Sequence, residues 1–283
     1  MRVINNIQNR FQQANIVEKF IMINLSVFII VFLLNTLGFL FQARTSFVNW
    51  FILPATFDAL LTKPWTLISF GFIHLDFLHL LMNLISLYFI GNLFIDYFTS
   101  KQFISFYILG TFFGGLLFMI SYNLFPAFRS DVSNSSLLGA SAGVSAIFIG
   151  IATYIPNYQF KIPLIGFIKL WHLAAVWIIL DIIQIPAGNA GGHLAHLGGA
   201  LFGFLYVNQA RSNKTTIWDT LKEVFSKKSP LKTVHKTKNT APRKKANTTY
   251  KQQKINAILE KISKSGYETL SQEEKDFLFK QGQ

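Results

Sequence analysis

Residues 139–154 read Gly139-Ala140-Ser141-Ala142-Gly143-Val144-Ser145-Ala146-Ile147-Phe148-Ile149-Gly150-Ile151-Ala152-Thr153-Tyr154. A serine flanked by small residues stands where a polar loop meets an apolar run. A helix beginning there aims free backbone N–H groups at whatever Ser141 touches. Ala142, Ala146 and Gly150 recur at every fourth position, the spacing that lets two helices approach closely inside a membrane.

The surrounding chain supports a membrane reading. Of its 283 residues 51% are hydrophobic and only 14% charged, and the apolar residues come in blocks, which excludes a single soluble domain. Phe occurs 30 times, as expected of lipid-facing helices. The absence of Cys excludes disulfides and thiolate chemistry.

Working outward from Ser141, six apolar runs are predicted as spans: Phe20–Phe41, Phe77–Phe98, Phe103–Phe125, Gly139–Tyr154, Ile165–Ile185 and His193–Val207. The first is too long for a signal-peptide core and reads as a retained anchor. Residues 42–64, with Trp50 and Phe51, and with Trp65 just beyond, read as an elaborated loop lying partly in the interface. Pro156–Lys161 reads as a turn, and Pro186–Gly192 as a Gly-rich loop.

Charge sets the expected orientation. Residues 211–283 hold 17 Lys/Arg against 7 Asp/Glu, whereas residues 1–210 hold 9 against 6. The N-terminal segment, Lys101, Lys161 and the basic tail fall on one side, so both termini are expected in the cytoplasm. A basic tail on an apolar body points to anionic lipid, not to nucleic acid. Four segments follow: a cytoplasmic stretch 1–19, a six-helix core 20–210, a basic flexible linker 211–253 and a small helical hairpin 254–283. In the hairpin Ile255, Ile258, Leu259 and Ile262 recur at helical spacing, Gly266 stops the first helix and Thr269–Glu273 resemble a second start.

Polar groups inside a membrane are costly, and each needs a reason. The second span carries His79 and Asn83, four apart and on one face. The fourth opens with Ser141, the sixth with His193 and His196. All three run inward from the outer side, so these groups share one depth. The chemistry they allow is acyl transfer. An imidazole takes the serine proton and later protonates the leaving amine. The Ser141 N–H and the side chains of His79 and Asn83 are available to an oxyanion. His196, Gly199 and Gly203 lie on one stripe, and Ala195, Gly199 and Gly203 form a small-residue ridge. That ridge is expected to meet the Ala142–Ala146–Gly150 ridge, and it favours His196 over His193 as the base.

With these motifs in order, the chain resembles the rhomboid family of intramembrane serine proteases. Gly139-Ala140-Ser141 matches its Gly-x-Ser, His79 to Asn83 its His-x-x-x-Asn, and Ala195-His196 with Gly199 and Gly203 its sixth-helix motif. The resemblance spans residues 16–210 and implies a Ser141–His196 dyad with no essential acid. It implies an oxyanion hole from His79, Asn83 and the Ser141 amide. The implied substrates are single-pass membrane proteins cut in or near their transmembrane segment, with helix five and its outer loop as the gate. No cofactor and no metal are expected, and the multi-pass chain would lie in a bacterial inner membrane. The hairpin is similar to an extension of some Bacteroidetes-like homologues.

Two positions depart from the family. Ala142 follows the serine where Gly is usual, and its methyl would crowd the oxyanion hole. Ser145 stands where a Tyr often packs on the histidine, so another group must hold the imidazole. Taken singly, the residues have plainer readings: Ser141 as a helix cap, His79 and Asn83 as interhelical hydrogen bonders, Asp181 snorkelling toward water as a simpler account than a third triad member, His172 at the inner interface, His74 and Asp76 merely solvated in place of polarising the site. Two rival functions follow: a non-proteolytic rhomboid-like protein that binds or escorts membrane clients, and a small transporter. No internal repeat supports the latter.

Overall fold

The structure, a computed structural model, describes residues 9–42, 47–162, 166–211, 254–262 and 264–279. Residues 212–253 of the predicted linker and residues 1–8 of the predicted cytoplasmic segment lie outside the described residues. The chain divides into two units, Met1–Ser226 and Lys227–Gln283.

The first unit is an all-α bundle. Helix α1, Ile16–Leu40, begins at a capping box: the Glu18 N–H donates to Asn15 Oδ1 and the Asn15 N–H to Glu18 Oε2, both at 2.9 Å. The loop that follows carries two short helices, α2 (Phe57–Thr62) and α3 (Thr66–Ser69), and a two-residue strand β1, Leu53–Pro54. Helix α4 is Phe77–Ile95, capped by Asp76, whose Oδ1 accepts the His79 N–H at 2.6 Å. Helix α5, Ser100–Leu124, opens on a second capping box, Thr99 with Gln102. Strand β2, Ser136–Leu137, precedes helix α6, Ser141–Tyr154. Helices α7, Leu170–Gln184, and α8, Ala190–Arg211, complete the bundle.

Among the described residues, α1, α4, α5 and the stretch Leu170–Ala187 are long and apolar enough to cross a membrane. Their outer faces carry large exposed apolar side chains, such as Ile30, Phe32 and Leu33 on α1 and Ile179, Ile182 and Ile183 on α7. In water such a surface would be a liability; against lipid it is the solvated face. Helix α6 differs. Every residue from Ala142 to Ala152 is buried, so it is apolar on all sides and enclosed by protein.

Small residues make this enclosure possible. A Cβ on Gly110 would collide with the Ala146 methyl, and one on Gly114 would stand 2.6 Å from the Ala142 methyl, so α5 receives the side chains of α6. On the other side, Cβ atoms on Gly199 and Gly203 would collide with the carbonyls of Ala142 and Ala146. The two expected ridges do meet, but glycine of α8 faces backbone of α6, while the alanine methyls face α5. Ala195 contributes its carbonyl to Gly114 instead.

The first three spans keep their expected places within four residues at each end, and the last two start elsewhere than expected. The fifth predicted span, α7, begins at Leu170, not Ile165, because Gln159–Ile162 (β3) and Gly166–Lys169 (β4) pair antiparallel, Gln159 opposite Lys169 and Phe160 opposite Ile168. Phe160 and Ile162 alternate with the polar Gln159 and Lys161, a strand pattern that a turn reading overlooks. The sixth predicted span, α8, begins at Ala190, three residues before His193, so the Gly-rich loop ends at Asn189.

The second unit holds a helix at residues 254–262 and another at Gln272–Phe279. Gly266 takes φ +81°, as a helix stop requires. The second helix starts at Ser271, whose Oγ accepts the Glu274 N–H while Glu274 Oε2 accepts the Ser271 N–H. Lys261 pairs with Glu274 across the hairpin at 2.9 Å.

Candidate active site

The head of α6 is held from outside the helix. β1 pairs with β2, Leu53 opposite Leu137, and the Gly139 N–H donates to the Phe70 carbonyl at 3.0 Å. The long loop after α1 therefore fixes the approach to Ser141. Gly139 takes φ +114°, and a Cβ there would stand 2.6 Å from the His79 ring. Glycine is required on both counts.

Ser141 is the first residue of α6, and Ala140 is the cap, with helical φ/ψ and no side-chain cap bond. The plain reading of Ser141 as a capping residue is thus excluded by geometry. Among the described residues its hydroxyl has no hydrogen-bond partner, and its N–H, on the first helical residue, has no intrahelical acceptor.

A cavity of ≈ 380 Å³ brings the expected residues together: Ser141, His196, His79 and Asn83 all line it, with Trp177 of α7. His193 does not. Among the described residues no Ser141–His196 hydrogen bond is formed. In unliganded enzymes such bonds are commonly long and tighten around substrate.

His196 instead spends Nδ1 on Asp181 Oδ1, 2.8 Å away, and His193 Nδ1 reaches the same oxygen at 2.8 Å. Asp181 is only 5% exposed. The expectation that it snorkels toward water is wrong, because two imidazoles on the facing turn of α8 supply its partners. The same three side chains bring one ligand atom each within 4.8 Å of one another, as a cation site would. Their shared 2.8 Å separations fit N–H···O bonds better, since ligands about 2.0–2.1 Å from zinc stand roughly 3.3 Å apart in a tetrahedron. The ring also lies against Trp177, centroids 6.1 Å apart. These contacts hold the imidazole that the family's Tyr would pack on. Ser145, at that position, is buried with its Oγ unpartnered.

His74 is the residue the sequence undervalued. It is fully buried, not solvated. Its Nε2 accepts the Ala140 N–H at 3.2 Å and faces Asn83 Nδ2 at 3.3 Å. Because Nε2 already accepts from Ala140, Asn83 must be the donor, and two donors share one lone pair. Burial, and secondarily the neighbouring His79, push the His74 pKa down to about 4. The Phe72 backbone opposes this, close enough to favour the proton without a well-shaped hydrogen bond. Asn83 Nδ2 also donates to the His79 carbonyl at 3.0 Å. Both amide protons are engaged, and the long bond to His74 is the one an oxyanion would replace.

Ala142 does not crowd this site. Its methyl points at Gly114 of α5, away from the cavity. His172 is exposed on α7.

Residues 61–211 match the rhomboid domain family, more than half of the chain. The chain belongs to the rhomboid family. It is a multi-pass integral membrane protein of that family's helical fold. Residues 243–280 match a second family, of unknown function (DUF6576). Over 144 residues this rhomboid is 31% identical to RHOMBOID-like protein 12, mitochondrial, of Arabidopsis thaliana, covering 48% of this chain and 43% of that one. Over 184 residues it is 28% identical to Presenilin-associated rhomboid-like protein A, mitochondrial, of Danio rerio, covering 63% and 43%. The matched region thus spans less than half the length of these relatives.

Proposed function

We propose that this rhomboid is an intramembrane serine endopeptidase that cleaves the transmembrane segments of membrane proteins. The observation that carries the reading is the single cavity lined by Ser141, His196, His79 and Asn83, with a carboxylate behind the imidazole. In this reading Ser141 Oγ attacks the scissile carbonyl while His196 Nε2 takes its proton. The tetrahedral oxyanion is received by the Ser141 N–H, Asn83 Nδ2 and the His79 ring. His196 then protonates the leaving amine, and water repeats the sequence on the acyl-enzyme. Gly139, Gly199 and Gly203 contribute by packing. The substrates are membrane proteins presented from the bilayer, and α7 with the segment after it is the access route. The charge bias favours termini on the cytoplasmic side. A bacterial inner membrane fits that arrangement.

The test is cleavage of a single-pass reporter in liposomes. Wild-type protein should cut it, and Ser141→Ala and His196→Ala should not. Cutting by Ser141→Ala would sink the reading. A second reading, a client-binding protein without proteolysis, is favoured by the engaged Asn83 amide and the unformed Ser141–His196 bond. It expects reporter binding with no product from the wild type.

A further inference from the structure

Asp181 is a carboxylate for which the dyad reading has no use. It lies on α7, of which only Leu170 and Asp181 are fully buried. Its Oδ1 stands 2.8 Å from Nδ1 of both His196 and His193, and its Oδ2 is buried without a partner. Trp177, one turn earlier on the same helix, has a buried Nε1 that also lacks a partner. A buried carboxylate is costly unless its neighbours donate to it. An ionised carboxylate can only accept, so each Nδ1 must carry a hydrogen.

From this geometry we infer that Asp181 is a positioning residue that holds His196 in the Nδ1–H form, leaving Nε2 as the proton acceptor in the cavity. The inference rests on the protease reading and adds to its dyad a third side chain that orients the base without taking the proton. When His196 takes the Ser141 proton at Nε2, the resulting imidazolium stands against a carboxylate, and the buried cluster loses its net charge. The proton stays on the ring until the leaving amine takes it, and Asp181 is never protonated. His193 supplies the second donor that the same oxygen needs while His196 is neutral. It does not line the cavity and touches no reacting atom. Because Asp181 sits on α7, the base is fully oriented only when α7 is seated against α8. Seating of that helix and competence of the base are therefore one event.

The test uses the full chain in liposomes with a transmembrane reporter, in wild type, Asp181→Asn, Asp181→Glu and His193→Gln. Asp181→Asn should lower kcat on the order of 100-fold with KM within about twofold, the range expected when a general base loses its orientation. Asp181→Glu should recover at least a tenth of the wild-type kcat, and His193→Gln should retain most of it. A second readout is the 15N spectrum of histidine-labelled protein, with the His196 signal assigned by its loss in His196→Gln. Wild type should show the Nδ1–H form at His196, and Asp181→Asn a mixture or the Nε2–H form.

A cleaving wild type with an equally active Asp181→Asn overturns the assignment alone. So does a loss in Asp181→Asn matched in Asp181→Glu and accompanied by equal loss of thermal stability, since that marks a helix strut. Wild-type activity abolished by EDTA and restored by zinc overturns it in favour of a cation on the same three side chains. A wild type that does not cleave overturns the protease reading, and the assignment falls with it.

Discussion

Gly199 of α8 lies directly against the Ala142 carbonyl of α6, so close that a Cβ there would strike backbone. The contact joins the helix bearing Ser141 to the helix bearing His196, one residue after Ser141 and one turn after His196. Neither partner can yield, because both are main chain within long helices.

Gly199→Ala should therefore push α6 and α8 apart. Overpacking of this kind costs about 1–3 kcal/mol, and the displacement also separates serine from base. We expect a lower melting temperature in detergent and a loss of reporter cleavage greater than the stability change explains. Unchanged melting and cleavage would show that the helices are not held at this spacing.

His74 sets a pH dependence of stability. Its folded pKa, about 4, lies below the ordinary 6.5, so the native state favours the neutral ring and the unfolded chain binds the proton more readily. The contribution is fully present above pH 6.5 and is lost progressively down to pH 4. The loss is on the order of 3 kcal/mol, from roughly 1.4 kcal/mol per pH unit. Melting of the wild type should fall through that window, and His74→Gln should fall less steeply. Parallel curves would exclude His74 as the source.

Ser145 offers the opposite sign. Its buried Oγ has no partner, and an unsatisfied hydroxyl is destabilising where it stands. Ser145→Ala should leave stability unchanged or raise it by up to about 1 kcal/mol, with cleavage retained. A marked loss of activity would show that the hydroxyl has a role in positioning the base.

Much of this was legible in the sequence, for physical reasons. Ser141, His196, His79 and Asn83 stand out because polar groups in apolar runs are conspicuous, and helical spacing places them on definite faces. The glycine ridges were legible as well, though not the fact that Gly199 meets a carbonyl while the Ala142 methyl turns to Gly114. That depends on helix rotation, which spacing alone does not determine. His74 and Asp181 were misjudged for a common reason. Each sits near a predicted helix end, where water is the default partner, and its burial comes from elements distant in sequence. The β3–β4 hairpin was missed because its first strand overlaps the expected turn at Pro156–Lys161 and its second lies in the apolar run that starts at Ile165. One further signal could have exposed Asp181: a lone carboxylate in an apolar helix, opposite two histidines three apart.

The proposed proteolysis requires Ser141 to be a nucleophile activated in the cavity it shares with His196. The most direct measurement is labelling of the full-length protein in liposomes with a fluorophosphonate, with the modified residue located by peptide mass spectrometry. A single adduct is expected at Ser141, absent in Ser141→Ala and strongly slowed in His196→Ala. Absence of any adduct on correctly folded wild type, or labelling of Ser141 at the same rate in His196→Ala, would contradict that requirement.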